Sequence, residues 1–512
     1  MKNTITKLLA LVLALALCFS FAGCSLLFSG DNNDNGGNGG NGGNGGNGGN
    51  GGNGGNGGDI TTDEPDDLAG ITDDTIWVGN TAGTTGALAT IGAPFNLGIE
   101  AAFAAYNAQG GYNGKQIKLK HYDDGGVATN SISMLDKLLF EDEVFAIVGH
   151  FGSYAVDATL DTLKEENVPM IYAAAGNGSL LNENATSLGD KGIFPVQPLN
   201  QTEGRMLILR AFAPADKGGL AATKVGVIAN SNEASQALLA GIKAEAAQSN
   251  LTNIVYQEVA SADFSGAVNA LKAAGCDTVI LTVIGADFMT TLTTMADAAY
   301  YCKVLTSYNN ASTAGFNDPS TTVMLPAYEK IFQTMAIYSQ AWLDITSTTY
   351  VYNDPTSALY SAYAYLGLDN GGLGVAGFNE EYWTVANNIY NYALTVNPNT
   401  AFAMSYDAYA LAGYIAGDLF CQAMEALEAS GKALSRANLV AVMETKEFKL
   451  AMADKISFAN GMRAGVGSFA LSMFYDVYTL DPSLGGGIYH SASSATVHTL
   501  TSIEDYRALL AQ

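Results

Sequence analysis

Short apolar segments alternate with longer amphipathic segments along most of this chain, and this alternation constrains the fold more than any other feature. It starts near residue 75, is interrupted near residues 195–200 and begins again at residue 224. Short, continuous apolar strands between amphipathic helices are typical of parallel sheets that helices cover on both faces. The chain is therefore predicted to be an α/β protein with two doubly wound parallel-sheet lobes.

Both runs of the alternation can be assigned to elements. The first run predicts strands over 75–79, 116–121, 145–149 and 169–173, with helices around 97–105 and over 131–139 and 157–166. The second run predicts strands over 224–229, 254–258, 278–283 and 304–306, with helices over 234–247, 264–274 and 288–299. Ligands of open α/β sheets bind beyond the carboxyl ends of the strands. The loops to inspect are therefore residues 80–86, 149–155, 173–178, 229–232, 284–287 and 307–310.

Length and charge limit the classes of function. The folded part has roughly 440 residues, from about residue 71 onward, which is too many for one hydrophobic core and predicts two domains. The whole chain carries a formal net charge of −26 at pH 7. So acidic a protein is a poor direct ligand for nucleic acid or for an anionic membrane surface. We expect a monomer that binds no nucleic acid.

The first residues have the pattern of a secretory signal. Lys2 and Lys7 precede an apolar run over 8–17, and the small residues Ala22 and Gly23 precede Cys24. The run is shorter than the ~20 residues that span a bilayer. The segment resembles the lipobox of bacterial lipoproteins, which implies a signal peptide over 1–23 and a lipid on Cys24. An ordinary signal peptide with an incidental cysteine is the alternative.

A tether follows the signal. Eight consecutive Asn-Gly-Gly units occupy residues 35–58. Without apolar side chains, such a segment has no burial to offset its conformational entropy, so residues 24–71 are predicted to be a flexible, lipid-anchored linker. Some fifty Gly-rich residues have an r.m.s. reach of roughly 40 Å. The expected location is the extracytoplasmic face of a cell membrane.

Several motifs carry a resemblance to a known family. Residues 107–114 read Asn-Ala-Gln-Gly-Gly-Tyr-Asn-Gly, and residues 148–153 read Val-Gly-His-Phe-Gly-Ser. With these segments the chain resembles the solute-binding lipoproteins of branched-chain amino acid ABC transporters, which are leucine-binding-protein-like type I periplasmic binding proteins. The resemblance covers most of residues 71–489. It implies a ligand cleft between the lobes, hinge closure around a small amino-acid-like, carboxylate or amide solute, and delivery to ABC permease subunits.

The resemblance also implies a lobe division. Lobe 1 is predicted to comprise residues 72–198 and 340–468, and lobe 2 residues 199–339 and 469–512. The three hinge crossings are predicted near residues 197–200, 338–342 and 467–470.

The ligand contacts implied by the resemblance are partly altered in this chain. Ser153 and residues 174–176 are implied to hold the ligand's carboxylate, although a plain helix N-cap is an alternative for Ser153. Gly176 stands where relatives have Thr, and Asn309 stands where they have an acid near the ligand ammonium. Asp287 is a candidate replacement acid, with the N-cap of the following helix as its alternative. The full set of candidate ligand residues is Thr85, Ile91, Ser153, Tyr154, Ala174, Ala175, Gly176, Ala234, Ile284, Asp287 and Asn309.

No motif favours catalysis. The four histidines are scattered, and His150 near Ser153 is not by itself a nucleophile–base pair. We expect no enzyme activity, no cofactor and no bound metal. Cys276 and Cys302 either pair or remain two buried thiols. A ligand sensor that signals rather than transports is the alternative function, and an inert surface protein is a third possibility.

Overall fold

A computed structural model describes residues 68–260, 262–318, 323–365, 374–481 and 487–511. The predicted signal peptide, Cys24 and all but the last residues of the predicted linker lie outside these ranges. The described chain begins on the surface of the first sheet, where the Trp77 N–H donates to the Gly70 carbonyl at 2.7 Å. None of the helices in the described ranges combines the length and the apolar character needed to cross a bilayer.

The elements follow the predicted alternation. The strands are β1 Thr75–Ala82, β2 Gln116–Asp123, β3 Ala146–Val148, β4 Met170–Ile171, β5 Ile193–Phe194, β6 Val225–Asn230, β7 Ile254–Val259, β8 Thr278–Leu281, β9 Lys303–Thr306, β10 Ala336–Ala341, β11 Thr346–Tyr352, β12 Val375–Phe378, β13 Glu447–Lys449, β14 Lys455–Ser457, β15 Ser468–Asp481 and β16 Gly487–Ser502. The helices are α1 Ala89–Ala108, α2 Ala128–Phe140, α3 Ser153–Glu165, α4 Leu188–Lys191, α5 Asn200–Phe212, α6 Glu233–Gln248, α7 Ser265–Ala274, α8 Ala286–Asp297, α9 Pro326–Thr334, α10 Ala358–Tyr365, α11 Glu380–Val396, α12 Ala401–Met404, α13 Ala408–Ser430, α14 Arg436–Thr445 and α15 Ile503–Leu510.

The strands form two main sheets. The first has the order β2-β1-β3-β4-β5, with parallel pairing throughout. The second has the order β16-β15-β10-β9-β8-β6-β7 and is parallel from β7 to β10. The long β15–β16 hairpin joins its edge in antiparallel fashion. The two α/β lobes of a type I periplasmic binding fold are therefore confirmed.

All eight predicted strands are present, but several bounds differ. The strand predicted over 169–173 is only two residues long, because Tyr172 adopts a φ of 58° that ends the extended backbone. Strand β1 continues three residues beyond its predicted end, into the loop predicted to contact the ligand. The β15–β16 hairpin was not predicted. The lobe boundaries and hinge crossings stay a prediction.

Helices α1 and α13 pack backbone to backbone in the core of the first lobe. A Cβ added at Gly413 would lie 1.9 Å from the Phe95 carbonyl oxygen, and one at Gly98 would lie 2.0 Å from that of Ala410. Only glycine permits so close a contact at these two positions. Helix α13 begins at a cap in which Asp407 accepts from the N–H groups of Tyr409 and Ala410. This cap fixes the end of α13 that faces the cleft.

The Tyr- and Asn-rich segment over 345–400 adds to this core. The rings of Tyr352 and Trp383 stack with centroids 4.7 Å apart, and Tyr363 meets Trp383 edge-on at 5.0 Å. Both tyrosines and the tryptophan are buried with the residues of α1 and α13. The described part of this insertion therefore enlarges the first lobe.

Candidate ligand-binding cleft

The loop after β3 brings the start of α3 to the cleft. The Phe151 N–H donates to the Thr81 carbonyl at 3.1 Å, and the Gly152 N–H donates to the Ala174 carbonyl at 3.2 Å. Gly152 has a φ of 96°, a conformation that favours glycine, and is the N-cap of α3. Ser153 is the first helical residue, so the N-cap alternative for Ser153 is wrong.

Residues 174–176 pass beside this helix start. The Ala174 N–H donates to the His150 carbonyl at 2.8 Å, so this amide is already used within the protein. Among the hydrogen bonds of the described residues, none uses the N–H of Ser153, Ala175 or Gly176. These three amides are therefore the candidate donors to a ligand oxygen at this edge of the cleft.

His150 is turned away from this edge. Its Nε2 lies 2.9 Å from the Thr159 hydroxyl, inside the lobe. Burial lowers the pKa of His150 to about 4, so the imidazole is neutral at pH 7. The pair of His150 and Ser153 therefore does not have the geometry of a base and a nucleophile.

The second lobe contributes the loop after β9 and the start of α5. The Tyr308 hydroxyl donates to the Pro198 carbonyl at 3.1 Å, and the Asn309 side-chain NH₂ donates to the Asn200 Oδ1 at 3.4 Å. Beneath them, Glu203 accepts from the Ser307 hydroxyl at 2.6 Å and from the Tyr308 N–H at 2.7 Å. Burial raises the pKa of Glu203 to about 7.

These segments line a pocket of about 50 Å³, and the surrounding space that is open to solvent brings the empty volume to about 610 Å³. Five of the predicted ligand residues line it: Ser153, Ala174, Ala175, Gly176 and Asn309. Their contact with a ligand stays a prediction. The remaining lining residues are Phe95, Phe151, Gln197, Asn200, Glu233, Tyr308, Trp342, Tyr409 and Ala412.

The other polar candidates lie away from the pocket lining. Thr85 donates its hydroxyl to Asp123, and Tyr154 donates to Asp124 at 2.8 Å. Asp287 accepts from the Asn230 side chain at 2.7 Å. The N-cap alternative for Asp287 is also wrong, because the cap of α8 is Gly285. Ile91, Ala234 and Ile284 are not among the lining residues either.

Glu233 is the lining residue that sequence reasoning missed and that matters most for charge. It begins α6, directly after the predicted ligand loop over 229–232, and its Oε1 lies 3.4 Å from the Gly178 N–H across the cleft. Burial raises the pKa of this carboxyl, and so does the nearby negative charge of Asp157. The sequence offered one signal for Glu233, namely that this charged residue directly follows the predicted ligand loop over 229–232.

The described residues show no cluster of three or more His, Cys, Asp or Glu side chains that could hold a metal ion. Cys276 and Cys302 are unpaired, and burial raises the pKa of Cys302 to about 12. Of the two alternatives, a disulfide or two free thiols, the structure has two free thiols. The thiol of Cys302 is protonated at pH 7 and is therefore a weak nucleophile.

Comparisons with known proteins agree with the fold. Two parallel-sheet lobes with a pocket lined from both define a type I periplasmic binding fold. The sequence profile of the periplasmic binding protein family matches residues 75–369, and the chain belongs to this family, as a leucine-binding-protein-like member. The resemblance seen in the sequence is thus confirmed.

Individual proteins that the chain resembles have low sequence identity to it. The chain is 32% identical over 213 residues to Leu/Ile/Val-binding protein homolog 2 of Brucella abortus, covering 40% of this chain and 53% of that protein. The chain thus spans about half the length of this curated relative. Among solved structures, an ABC transporter substrate-binding protein from Sphaerobacter thermophilus has a TM-score of 0.53 at 16% identity, covering 84% of this chain and 99% of its own. A fatty acid ABC transporter substrate-binding protein from Thermomonospora curvata has a TM-score of 0.52 at 16% identity, covering 86% and 95%. Both show a shared fold.

Proposed function

We propose that this protein captures a small solute between its two lobes, outside the cytoplasm, and delivers it to the permease of an ABC importer. The observation that carries the proposal is a pocket lined from both sides. Ser153 and Gly176 approach it from the first sheet, and Asn309 and Glu233 approach it from the second. A solute that contacts both lobes binds the closed arrangement better than the open one, so it shifts the hinge equilibrium toward closure.

The donors of the pocket support a ligand with a carboxylate or amide end. The N–H groups of Ser153, Ala175 and Gly176 can hold one such oxygen. Asn309 is neutral, so an ammonium placed beside it would be buried without a charged partner at a cost of several kcal/mol. A loss of ~4 kcal/mol lowers affinity about 10³-fold. For an ammonium that lies beside Asn309 and out of reach of the Glu233 carboxylate, this cost applies in full, and the ligand is therefore proposed not to be leucine, isoleucine or valine.

A lipid on Cys24 and the Asn-Gly-Gly linker would hold this binding body at the membrane. The pattern of residues 1–24 supports this part of the proposal. A linker with a reach of roughly 40 Å would let the body move between bulk solution and a permease in the same membrane.

A thermal-shift screen of amino acids, amino-acid amides and aromatic acids tests the proposal. A hit is then titrated by calorimetry against wild type, Ser153→Ala and Ser179→Ala. Ser179 is the matched control, because its hydroxyl donates to Asp157 and it does not line the pocket. We propose the Ser153 hydroxyl as a further donor to the ligand oxygen, so Ser153→Ala, which keeps the N–H and removes the hydroxyl, should weaken binding about tenfold, as the loss of one hydrogen bond does. Equal binding by both variants would contradict ligand contact at Ser153, and a screen without hits would contradict solute capture.

A further inference from the structure

A second pocket borders the candidate cleft. Two buried side chains, Tyr308 and Trp342, line both pockets, and the described linings have no other residue in common. The second pocket is also bounded by the end of β10, by the β15–β16 hairpin and by the start of α13, and we call it the β10 pocket. Its volume is about 100 Å³, and the surrounding space that is open to solvent brings the empty volume to about 760 Å³.

One lining residue of the β10 pocket is a buried amide without a partner. Gln340 is the residue before the last of β10, and its side chain is fully buried. Among the described residues, neither its Oε1 nor its Nε2 has a hydrogen-bond partner. Burial of a donor and an acceptor without partners destabilises a fold, and a leucine of similar size would avoid that cost. A group bound in the pocket would supply the missing partners.

The lining of the β10 pocket favours an uncharged ligand. None of the described residues that line it is charged at pH 7, because its polar side chains are amide, hydroxyl and indole groups and the others are alanine, leucine and isoleucine. A charged group bound here would be buried without an ion partner, at a large desolvation cost. A carboxamide is neutral, and its oxygen can accept from Nε2 of Gln340 while its N–H donates to Oε1. One ligand group thus satisfies both atoms.

From these observations we propose that the β10 pocket binds a second small solute, a neutral molecule with a carboxamide or lactam group and a compact apolar body. Gln340 exchanges a pair of hydrogen bonds with the amide, and the apolar body packs against Trp342 and Leu343. Cavities of roughly 150 Å³ in protein cores bind benzene, so the pocket and its open side have room for an amide on a body of that size. The inference goes beyond the proposed function, because capture in the cleft does not require the β10 pocket.

Water alone in the β10 pocket makes a different prediction. Buried water often bonds to polar groups that have no protein partner. In that case Gln340→Leu would change the stability of the fold, but the protein would not distinguish a carboxamide from other molecules of the same shape. Selectivity among such molecules therefore separates the two roles of Gln340.

The test uses three probes of nearly the same planar shape. Benzamide offers a donor and an acceptor, acetophenone offers an acceptor alone, and benzoate is an anion. Ligand-observed NMR titrations measure the binding of each probe to the full chain, to Gln340→Leu and to Gln197→Leu. The last variant is the matched control, since it removes the same amide from the lining of the cleft pocket, which Gln340 does not line. Circular dichroism checks folding, and Gln340→Met replaces Gln340→Leu if the latter does not fold.

We expect wild type to bind benzamide about tenfold more tightly than acetophenone, as one additional hydrogen bond provides, and more tightly than benzoate. Gln340→Leu should weaken the binding of benzamide about 10- to 100-fold and abolish the preference, whereas Gln197→Leu should keep the affinity within about twofold. Wild type that ignores benzamide, or that binds all three probes equally, would overturn the inference. A loss in Gln197→Leu instead of Gln340→Leu would also overturn it, because benzamide would then occupy the cleft. The thermal-shift screen tests capture in the cleft separately.

Discussion

Glu203 accepts a hydrogen bond of 2.6 Å from the hydroxyl of Ser307, and this bond joins the start of α5 to the loop after β9. Both segments line the pocket, the first through Asn200 and the second through Tyr308 and Asn309. The same carboxyl group accepts from the Tyr308 N–H at 2.7 Å. A fully buried acid that is not itself a lining residue therefore sets the distance between two ligand-facing segments.

Glu203 should make the stability of the fold depend on pH. Burial raises its folded-state pKa from 4.5 to about 7, so between these values the folded chain binds more protons than the unfolded chain. Stability from this group is then fully present at low pH and is lost as the pH rises through the folded-state pKa, by about 3 kcal/mol in all. Glu203→Gln stays neutral and should lack this dependence.

Urea denaturation of both proteins at pH 5 and pH 8 measures the effect. Wild type should lose stability relative to Glu203→Gln between pH 5 and pH 8. The unfolding free energy of the variant minus that of wild type should therefore be larger at pH 8. A difference that is the same at both pH values would show that Glu203 titrates as an ordinary acid.

Gly176 should be sensitive to the addition of a single methyl group. A Cβ at this position would lie 3.0 Å from the Asn200 Oδ1 and 3.3 Å from its Cγ, so Gly176→Ala should displace a lining side chain. We expect ligand affinity to fall about tenfold, which corresponds to ~1.4 kcal/mol. Gly178→Ala is the control, because its Cβ would have no atom nearer than 3.6 Å. Calorimetry that found equal losses for the two variants would contradict this account.

The close crossing of α1 and α13 should not tolerate a larger residue. Gly413→Ala would place a Cβ 1.9 Å from the Phe95 carbonyl oxygen, and the two backbones would have to separate. We expect a loss of about 3 kcal/mol in unfolding free energy. Gly266→Ala, in α7, has open space around its Cβ and should gain up to ~1 kcal/mol. Chemical denaturation measures the unfolding free energy of both variants. A Gly413→Ala protein as stable as wild type would contradict the close crossing of the two helices.

Cys24 should determine where the protein is found. If it carries the lipid, Cys24→Ser should release protein into the medium or leave the signal uncleaved. Metabolic labelling with a fatty acid, followed by fractionation of cells and medium, provides the measurement. Unchanged labelling of Cys24→Ser would show that the lipid is not on Cys24.

The fold could be predicted from the sequence, whereas the predicted ligand contacts stay a prediction. Short apolar strands such as 145–149, which alternate with helices along the chain, can be predicted from local sequence pattern. All eight of these predicted strands are present. Five of eleven candidate ligand residues line the pocket. Thr85, Tyr154 and Asp287 are not among these five, because each side chain bonds to a residue at or just after the end of a strand, a contact that local pattern does not reveal. Glu233 was missed because the direction of a side chain at a helix start depends on how the lobes face each other.

A solute bound in the pocket is proposed to close the two lobes around it. Spin labels on cysteines introduced at Asp161 in α3 and Ala244 in α6, both exposed, report the separation of the lobes by pulsed electron spin resonance. A saturating amount of the solute found in the thermal-shift screen should shorten the mean distance between the labels, and the same solute should leave it unchanged in a variant that no longer binds. An unchanged distance in the binding-competent protein at saturation would contradict capture by closure.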